Sequence, residues 1–253
     1  MQFISKMSIK KHLPNALTLL NLFAGLCALI HAFNGNYAEA FSLVCLGIFF
    51  DFWDGFLARA LEAQSPIGLQ LDSLADMVTS GVVPGLIIYK MLSDIQENQA
   101  QYTLTEETYY MGVVPYLGFL ITLGSCYRLA NFNVDERQTD SFIGLPTPAN
   151  ALWICSLPII LEETGGDGFV FEFLSNPFVL VIAALLSTFL LNAEIPLFSL
   201  KMKSFTWEKS KIQIVFLSMA VVMLAVLQFL AIPLIILMYV LLSVVTNKFL
   251  SKG

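Results

Sequence analysis

The chain has 253 residues, 57% of them hydrophobic and only 13% charged, with a formal net charge of −6. A soluble domain is about a quarter charged, so the composition excludes an ordinary soluble globule and fits an integral membrane protein. The acidic balance, with no basic stripe interleaved with aromatics, excludes a nucleic-acid-binding surface.

In chain order, residues 1–13, opening MQFISKMSIK, carry charge without a cleavable apolar core and read as a short interfacial segment. Pro14 and Asn15 open the first apolar run, 15–33, because proline suits the first turn of a helix and asparagine can cap one. The second run, 38–58, contains Asp51 and Asp54. A polar turn, Glu62 to Pro66, leads into the third, 70–92, which contains Asp72 and Asp76. Residues 93–110, rich in Gln, Glu, Thr and Tyr, read as a surface excursion. The fourth run, 111–130, carries Arg128 near its end, and Arg137 in the following VDERQTD reads as a solvated charge. Pro146 and Pro148 shape the entry to a short fifth run, 147–162. Runs at 176–193, 212–229 and 231–249 follow, the last two parted by a tight break around Gln228 to Pro233. A membrane helix needs about 20 apolar residues. The prediction is therefore an all-α polytopic protein of one domain, 1–253, with about eight transmembrane helices. Cys27, Cys45, Cys126 and Cys155 lie in apolar runs at unrelated spacings and read as small fillers, not as a disulfide frame or zinc site.

Charge tests this arrangement independently. Eight crossings put Lys6, Lys10, Lys11, Arg59, Arg128, Arg137, Lys201, Lys203, Lys209, Lys211, Lys248 and Lys252 on one side, and only Lys90 on the other. The opposite loops carry Asp94, Glu97, Glu106, Glu107, Glu162, Glu163, Asp167 and Glu172. By the positive-inside rule both termini are cytoplasmic. The four aspartates then sit at the cytoplasmic ends of the second and third spans.

An aspartate inside an apolar span costs several kcal/mol, and one arginine, Arg59, cannot compensate four. Asp51 and Asp54, three apart, lie about 60° from each other around one helix; Asp72 and Asp76, four apart, share a face of the next. An antiparallel pair can aim both faces at one point, and carboxylates pooled there suit hard divalent cations. Gly55, Ala58 and Gly68 would let a ligand or a helix approach the backbone closely. Two chemistries are compatible with this much: metal-assisted attack at phosphorus, or an ion path through a transporter.

The full string is Asp51-x2-Asp54-Gly55-x2-Ala58-Arg59-x8-Gly68-x3-Asp72-x3-Asp76. At every fixed position and gap it resembles the signature of the CDP-alcohol phosphotransferase family. The resemblance implies a six-helix membrane core, here with two helices more, and a homodimer. It implies transfer of a phosphoalcohol from a CDP-linked donor to a hydroxyl with Mg²⁺ or Mn²⁺, two ions in all, and release of CMP. It makes Asp51, Asp54, Asp72 and Asp76 metal ligands, with Asp76 also the base. It places Asn15, Asp54, Gly55, Ala58, Arg59 and Gly68 around the nucleotide and diphosphate.

Three further segments, LPNALTLLNLFAGLCALI, RLANFNV (128–134) and FIGLPTPAN (142–150), resemble the phosphatidylserine synthase branch. Asn131 departs from it, standing where that branch carries arginine. The branch implies CDP-diacylglycerol and L-serine as substrates at the cytoplasmic face. Arg128 is then the candidate for the serine carboxylate by bidentate pairing, with Asn131, Asn133 and Asn150 as neutral partners. Snorkelling and capping are the competing structural roles. Glycerol 3-phosphate or inositol are the alternative acceptors. Phe49, Phe50 and Trp53 are expected to face lipid or neighbouring helices and not the base.

Overall fold

The computed structural model describes residues 2–100, 111–135, 142–197 and 207–250. Residues 101–110, with Glu106 and Glu107, and Arg137, Lys201, Lys203 and Lys252 lie outside them.

The fold is a helical bundle. Helix α1 (Gln2–Phe33) runs straight through Pro14, which the sequence reading had opening the helix. Proline withdraws a single N–H from the ladder, a loss one turn of helix can carry, and the Pro14 carbonyl oxygen lies 3.2 Å from the Thr18 hydroxyl oxygen. Gly35, at φ +78°, supplies the left-handed residue that ends α1 and turns the chain into α2 (Tyr37–Ala60). Helix α3 (Pro66–Asp76) starts as its sequence dictates, with Pro66 in the first turn and the Ser65 hydroxyl accepting from the Gly68 N–H at 3.0 Å.

From Asp76 the backbone passes into a π-helical turn, Met77–Val82, and then α4 (Val83–Ala100). The expected excursion at 93–110 is thus helical up to residue 100. Ser93 to Gln99 contains no glycine or proline to stop it, and Lys90 pairs with Asp94 one turn on at 2.6 Å. A 3₁₀ turn, Met111–Gly118, precedes α5 (Phe119–Phe132). Then come β1 (Phe142–Ile143), α6 (Thr147–Glu163), α7 (Gly168–Leu174), α8 (Pro177–Asn192) and β2 (Pro196–Leu197). β1 and β2 form a two-residue antiparallel ladder, Phe142 opposite Leu197. Helices α9 (Trp207–Leu227) and α10 (Ala231–Leu250) follow.

Among the described residues, five continuous stretches can cross a membrane by length and composition: His12–Phe33, Tyr37–Ala60, Pro66–Glu97, Gly112–Phe132 and Lys211–Thr246. The α7–α8 pair, bent by 68°, makes a sixth if it counts as one span. The eight expected runs differ from this count in two places. Helix α6 has only 17 residues. The last stretch is continuous in hydropathy but not in direction: the Phe216 and Tyr239 rings lie 5.6 Å apart, whereas a straight helix would separate them by about 35 Å. The chain folds back where Gln228 adopts φ +49°, within the break that the sequence places around Gln228 to Pro233.

Polarity is distributed as a bilayer requires. Leu19, Phe23, Phe49, Phe52 and Val226 are exposed, while Thr18, Asn21, Thr79, Ser125, Asn150 and Ser187 are buried beside an apolar core that includes Val44, Ile87, Ile121, Ile154 and Leu180. Close crossings depend on small residues. A Cβ on Gly118 would stand 2.6 Å from the Tyr89 amide nitrogen and 2.8 Å from the Gly85 carbonyl oxygen. Both are backbone atoms, which cannot swing aside. Gly118→Ala is expected to cost about 1–3 kcal/mol, seen as a lower Tm in detergent. An unchanged Tm would mean that α4 and the 3₁₀ turn are not in the close contact described.

Candidate metal centre and substrate cavities

Asp51 and Asp54 project from the last turns of α2, and Asp72 from the middle of α3. One carboxylate oxygen from each of the three lies within 4.8 Å of the other two. A magnesium-sized ion holds its ligands at about 2.1 Å, so opposite ligands stand about 4.2 Å apart. Oxygens all within 4.8 Å of one another are therefore spaced on the scale of a single ion site. Its donors are all hard oxygens, and no described lysine or arginine nitrogen comes within 4.0 Å of them. Asp51 and Asp72 are half-buried and Asp54 is buried. This donor set fits a divalent cation.

Asp76 lies one turn beyond Asp72, deeper in the bundle. It is not one of the three whose oxygens converge. It is 8% exposed, and its Oδ1 accepts from the Asn21 amide at 3.2 Å. Asp54, Asp72 and Arg128 are close enough for their charges to act on it.

A cavity of about 570 Å³ opens beside the trio. α1 supplies Pro14, Asn15 and Thr18; α2 supplies Asp54, Gly55, Ala58 and Arg59; the turn and α3 supply Ala63 to Pro66, Gly68, Leu69 and Asp72. All six residues assigned from sequence to the nucleotide and diphosphate thus line one space. Its size suits a nucleotide. The small residues hold it open: a Cβ on Gly68 would stand 3.2 Å from Asn15 Oδ1, and one on Gly55 would stand 3.4 Å from the Arg59 guanidinium. Phe49 and Trp53 turn away to the exposed side of α2, their rings tilted by 57° with centroids 6.0 Å apart.

Arg128 is buried, with 8% exposure, so it does not snorkel. Its Nε and Nη2 have no hydrogen-bond partner, and the Asp76 carboxylate is near enough for its charge to favour the guanidinium. A buried guanidinium with two idle donors fits a carboxylate or phosphate ligand. Arg128 and Asn131 line a crevice of about 80 Å³ with Asp135, Ile143, Asn192 and Glu194, among others. The other two asparagines predicted from sequence do not line this crevice. Asn133 donates to Ser73 Oγ at 2.9 Å, tying the end of α5 to α3. Asn150 is fully buried between helices and accepts from Ser187 at 2.6 Å.

The sequence reading missed two residues of α1. Thr18 donates to Asp54 Oδ2, and Asn21 donates to Asp76. A signal was present, since Asn15, Thr18, Asn21 and Gly25 recur every three or four residues along an otherwise apolar helix.

Comparison with known proteins gives a consistent picture. The profile described as CDP-alcohol phosphatidyltransferase matches residues 11–247. The chain is 35% identical over 141 residues to a CDP-diacylglycerol--serine O-phosphatidyltransferase of Bacillus subtilis (strain 168), covering 54% of this chain and 70% of that one. It is 34% identical over 164 residues to the protein of the same name from Mycobacterium tuberculosis (strain ATCC 25618 / H37Rv), covering 62% of this chain and 51% of the relative. The match therefore spans only about half the length of the mycobacterial protein. An archaetidylserine synthase of Methanothermobacter thermautotrophicus is 30% identical over 176 residues, 69% of this chain and 66% of that one.

Proposed function

The chain belongs to the CDP-alcohol phosphatidyltransferase family, and from that premise we propose that it transfers the phosphatidyl group of CDP-diacylglycerol to the hydroxyl of L-serine, giving phosphatidylserine and CMP. The observation that carries this reading is the convergence of the Asp51, Asp54 and Asp72 carboxylates at the edge of one nucleotide-sized cavity. The choice of acceptor is supported by the relatives' names: the lipid differs between them, but serine is common to all three.

Asp51, Asp54 and Asp72, completed by Asp76, would hold two divalent ions, Mg²⁺ or Mn²⁺. Bound there, such ions supply charge neutralisation to a diphosphate and its leaving group. The chain's own side chains do the rest. Gly55, Ala58 and Gly68 leave room for the nucleotide, with Asn15 and Arg59 at its edge. Asp76 takes the proton of the serine hydroxyl as that oxygen attacks the phosphorus bearing diacylglycerol. The bond from that phosphorus to the CMP oxygen breaks, and its electron pair leaves with CMP. Arg128 receives the serine carboxylate, with Asn131 beside it. Positioning in a dry, preorganised site is the main source of rate.

The membrane setting follows the same reading: eight helices, both termini and the active site cytoplasmic, the donor reaching the site from the bilayer and serine from the cytosol. The positive-inside count supports that orientation, and the family resemblance supports a homodimer.

The test is a panel of acceptors scored by CMP release. Purified protein with CDP-diacylglycerol and Mg²⁺ or Mn²⁺ should release CMP with serine and not with glycerol 3-phosphate or inositol. The reverse pattern would keep the chemistry and overturn the acceptor. Within the site, Arg128→Lys loses the bidentate fork but keeps the charge. It should raise the serine KM about tenfold, equivalent to 1.4 kcal/mol, and leave CDP-diacylglycerol affinity within about twofold. The opposite split would place Arg128 on the nucleotide.

A further inference from the structure

The reading above leaves unexplained why a fully buried asparagine sits in α1 with a polar atom unsatisfied. Asn21 has no exposure. Its amide N–H donates to Asp76 Oδ1 at 3.2 Å, while its own Oδ1 has no hydrogen-bond partner. A leucine, branched at the same atom, would carry no oxygen of its own to orphan, but it would leave Asp76 Oδ1 without its donor. What the amide adds at this place is its bond to Asp76.

The backbone around it is organised to keep that amide in place. The Thr79 hydroxyl donates to the backbone carbonyl oxygen of Asn21 at 3.1 Å, which fixes the main chain that carries the amide. Thr79 follows Asp76 by three residues and lies in the π-helical turn Met77–Val82, whose extra residue per turn alters the direction in which its side chains leave the helix. Two glycines admit the contact. A Cβ on Gly25 of α1 would collide with Thr79. A Cβ on Gly47 of α2 would stand 2.7 Å from Thr79 Cγ2 and 2.8 Å from Asn21 Oδ1. The amide is therefore braced between Gly47 at its oxygen end and Asp76 at its nitrogen end.

We propose that Asn21 is a positioning residue for the reaction: its amide, carried on a main chain that Thr79 fixes and closed in by Gly47, holds Asp76 Oδ1 and so presents Oδ2 as the atom that takes the acceptor's proton. The acceptor O–H bond breaks, an O–H bond forms at Oδ2, and the freed electron pair goes to phosphorus. This rests on Asp76 being the base, and it goes further by naming what aims that base.

Steady-state CMP release should be measured for Asn21→Leu, Thr79→Val, Gly47→Ala and Asp76→Asn, together with equilibrium binding of CDP-diacylglycerol and Tm. Asn21→Leu should lower kcat about 100-fold, the scale of a 1 Å misplacement. The serine KM and donor binding should stay within about twofold, and Tm should fall by only the few degrees that one lost buried hydrogen bond costs. Thr79→Val, nearly the same shape without the hydroxyl, and Gly47→Ala should each lower kcat about tenfold, again with KM unchanged. Parent kcat in Asn21→Leu with an inactive Asp76→Asn would overturn the proposal and leave the base assignment standing. So would parallel losses of kcat, KM and Tm, the pattern of packing alone. An active Asp76→Asn would remove the base and this proposal together. If Asn21→Leu does not fold, Thr79→Val decides, and parent kcat there overturns the proposal.

Discussion

Asp76→Asn should turn over CDP-diacylglycerol and serine about 10²–10⁴ times more slowly than the parent, the range a general base contributes, while binding the CDP-lipid nearly as well. The substitution is isosteric, so the buried packing around residue 76 survives. The three carboxylates that converge are Asp51, Asp54 and Asp72, and all remain. The large cavity is lined by Asp54 and Asp72 but not by Asp76, so the donor keeps its walls. What disappears is a carboxylate that can accept a proton. The measurement is a kcat for CMP release beside a dissociation constant for CDP-diacylglycerol. Parent-like turnover would remove Asp76 from the chemistry, and equal loss of binding and turnover would make it chiefly a ligand-holding residue.

Asp72→Asn should fail in a different way. Asp72 belongs both to the converging trio and to the cavity wall, so its charge serves ion and donor together. An amide oxygen is a weaker ligand than a carboxylate, and two anions remain where three stood. Disturbing even outer partners of metal ligands costs about 10–100-fold in affinity, so a direct ligand should cost at least that. Mn²⁺ binding followed by electron paramagnetic resonance, without any substrate, should show the loss. CDP-diacylglycerol binding should weaken in step. Asp51→Asn is expected to behave alike, because its oxygen completes the same trio. Unchanged Mn²⁺ affinity in both variants would separate the carboxylates from any ion.

The features legible in the sequence are those that local chemistry decides. Aspartates spaced three and four apart in apolar runs can only be tolerated on a shared face, and the structure brings three of the four to one point. Ser65 and Pro66 announce the start of α3 because a cap and a proline at the first turn have no better use there. The fold-back near Gln228 is legible because the apolar run is nearly twice the thickness of a bilayer. The illegible features depend on which helix meets which. The π-helical turn after Asp76 follows contacts between Thr79, Asn21, Gly25 and Gly47 that join three separate segments. Asn133 and Asn150 share a residue type and a neighbourhood in sequence with Asn131, yet one ties α5 to Ser73 and the other sits fully buried against Ser187. Spacing alone cannot distinguish those fates. The same holds for Thr18 and Asn21, whose periodicity was visible but whose partners on α2 and α3 were not.

The proposed reaction needs one physical arrangement: acidic side chains from α2 and α3 gripping the same ions beside the donor. The most direct measurement is an anomalous difference map from crystals grown with Mn²⁺ and CDP-diacylglycerol. Manganese density is expected in contact with carboxylate oxygens of Asp51, Asp54 and Asp72, with the diphosphate against it. Manganese bound elsewhere, or a diphosphate seated away from those three residues, would contradict it.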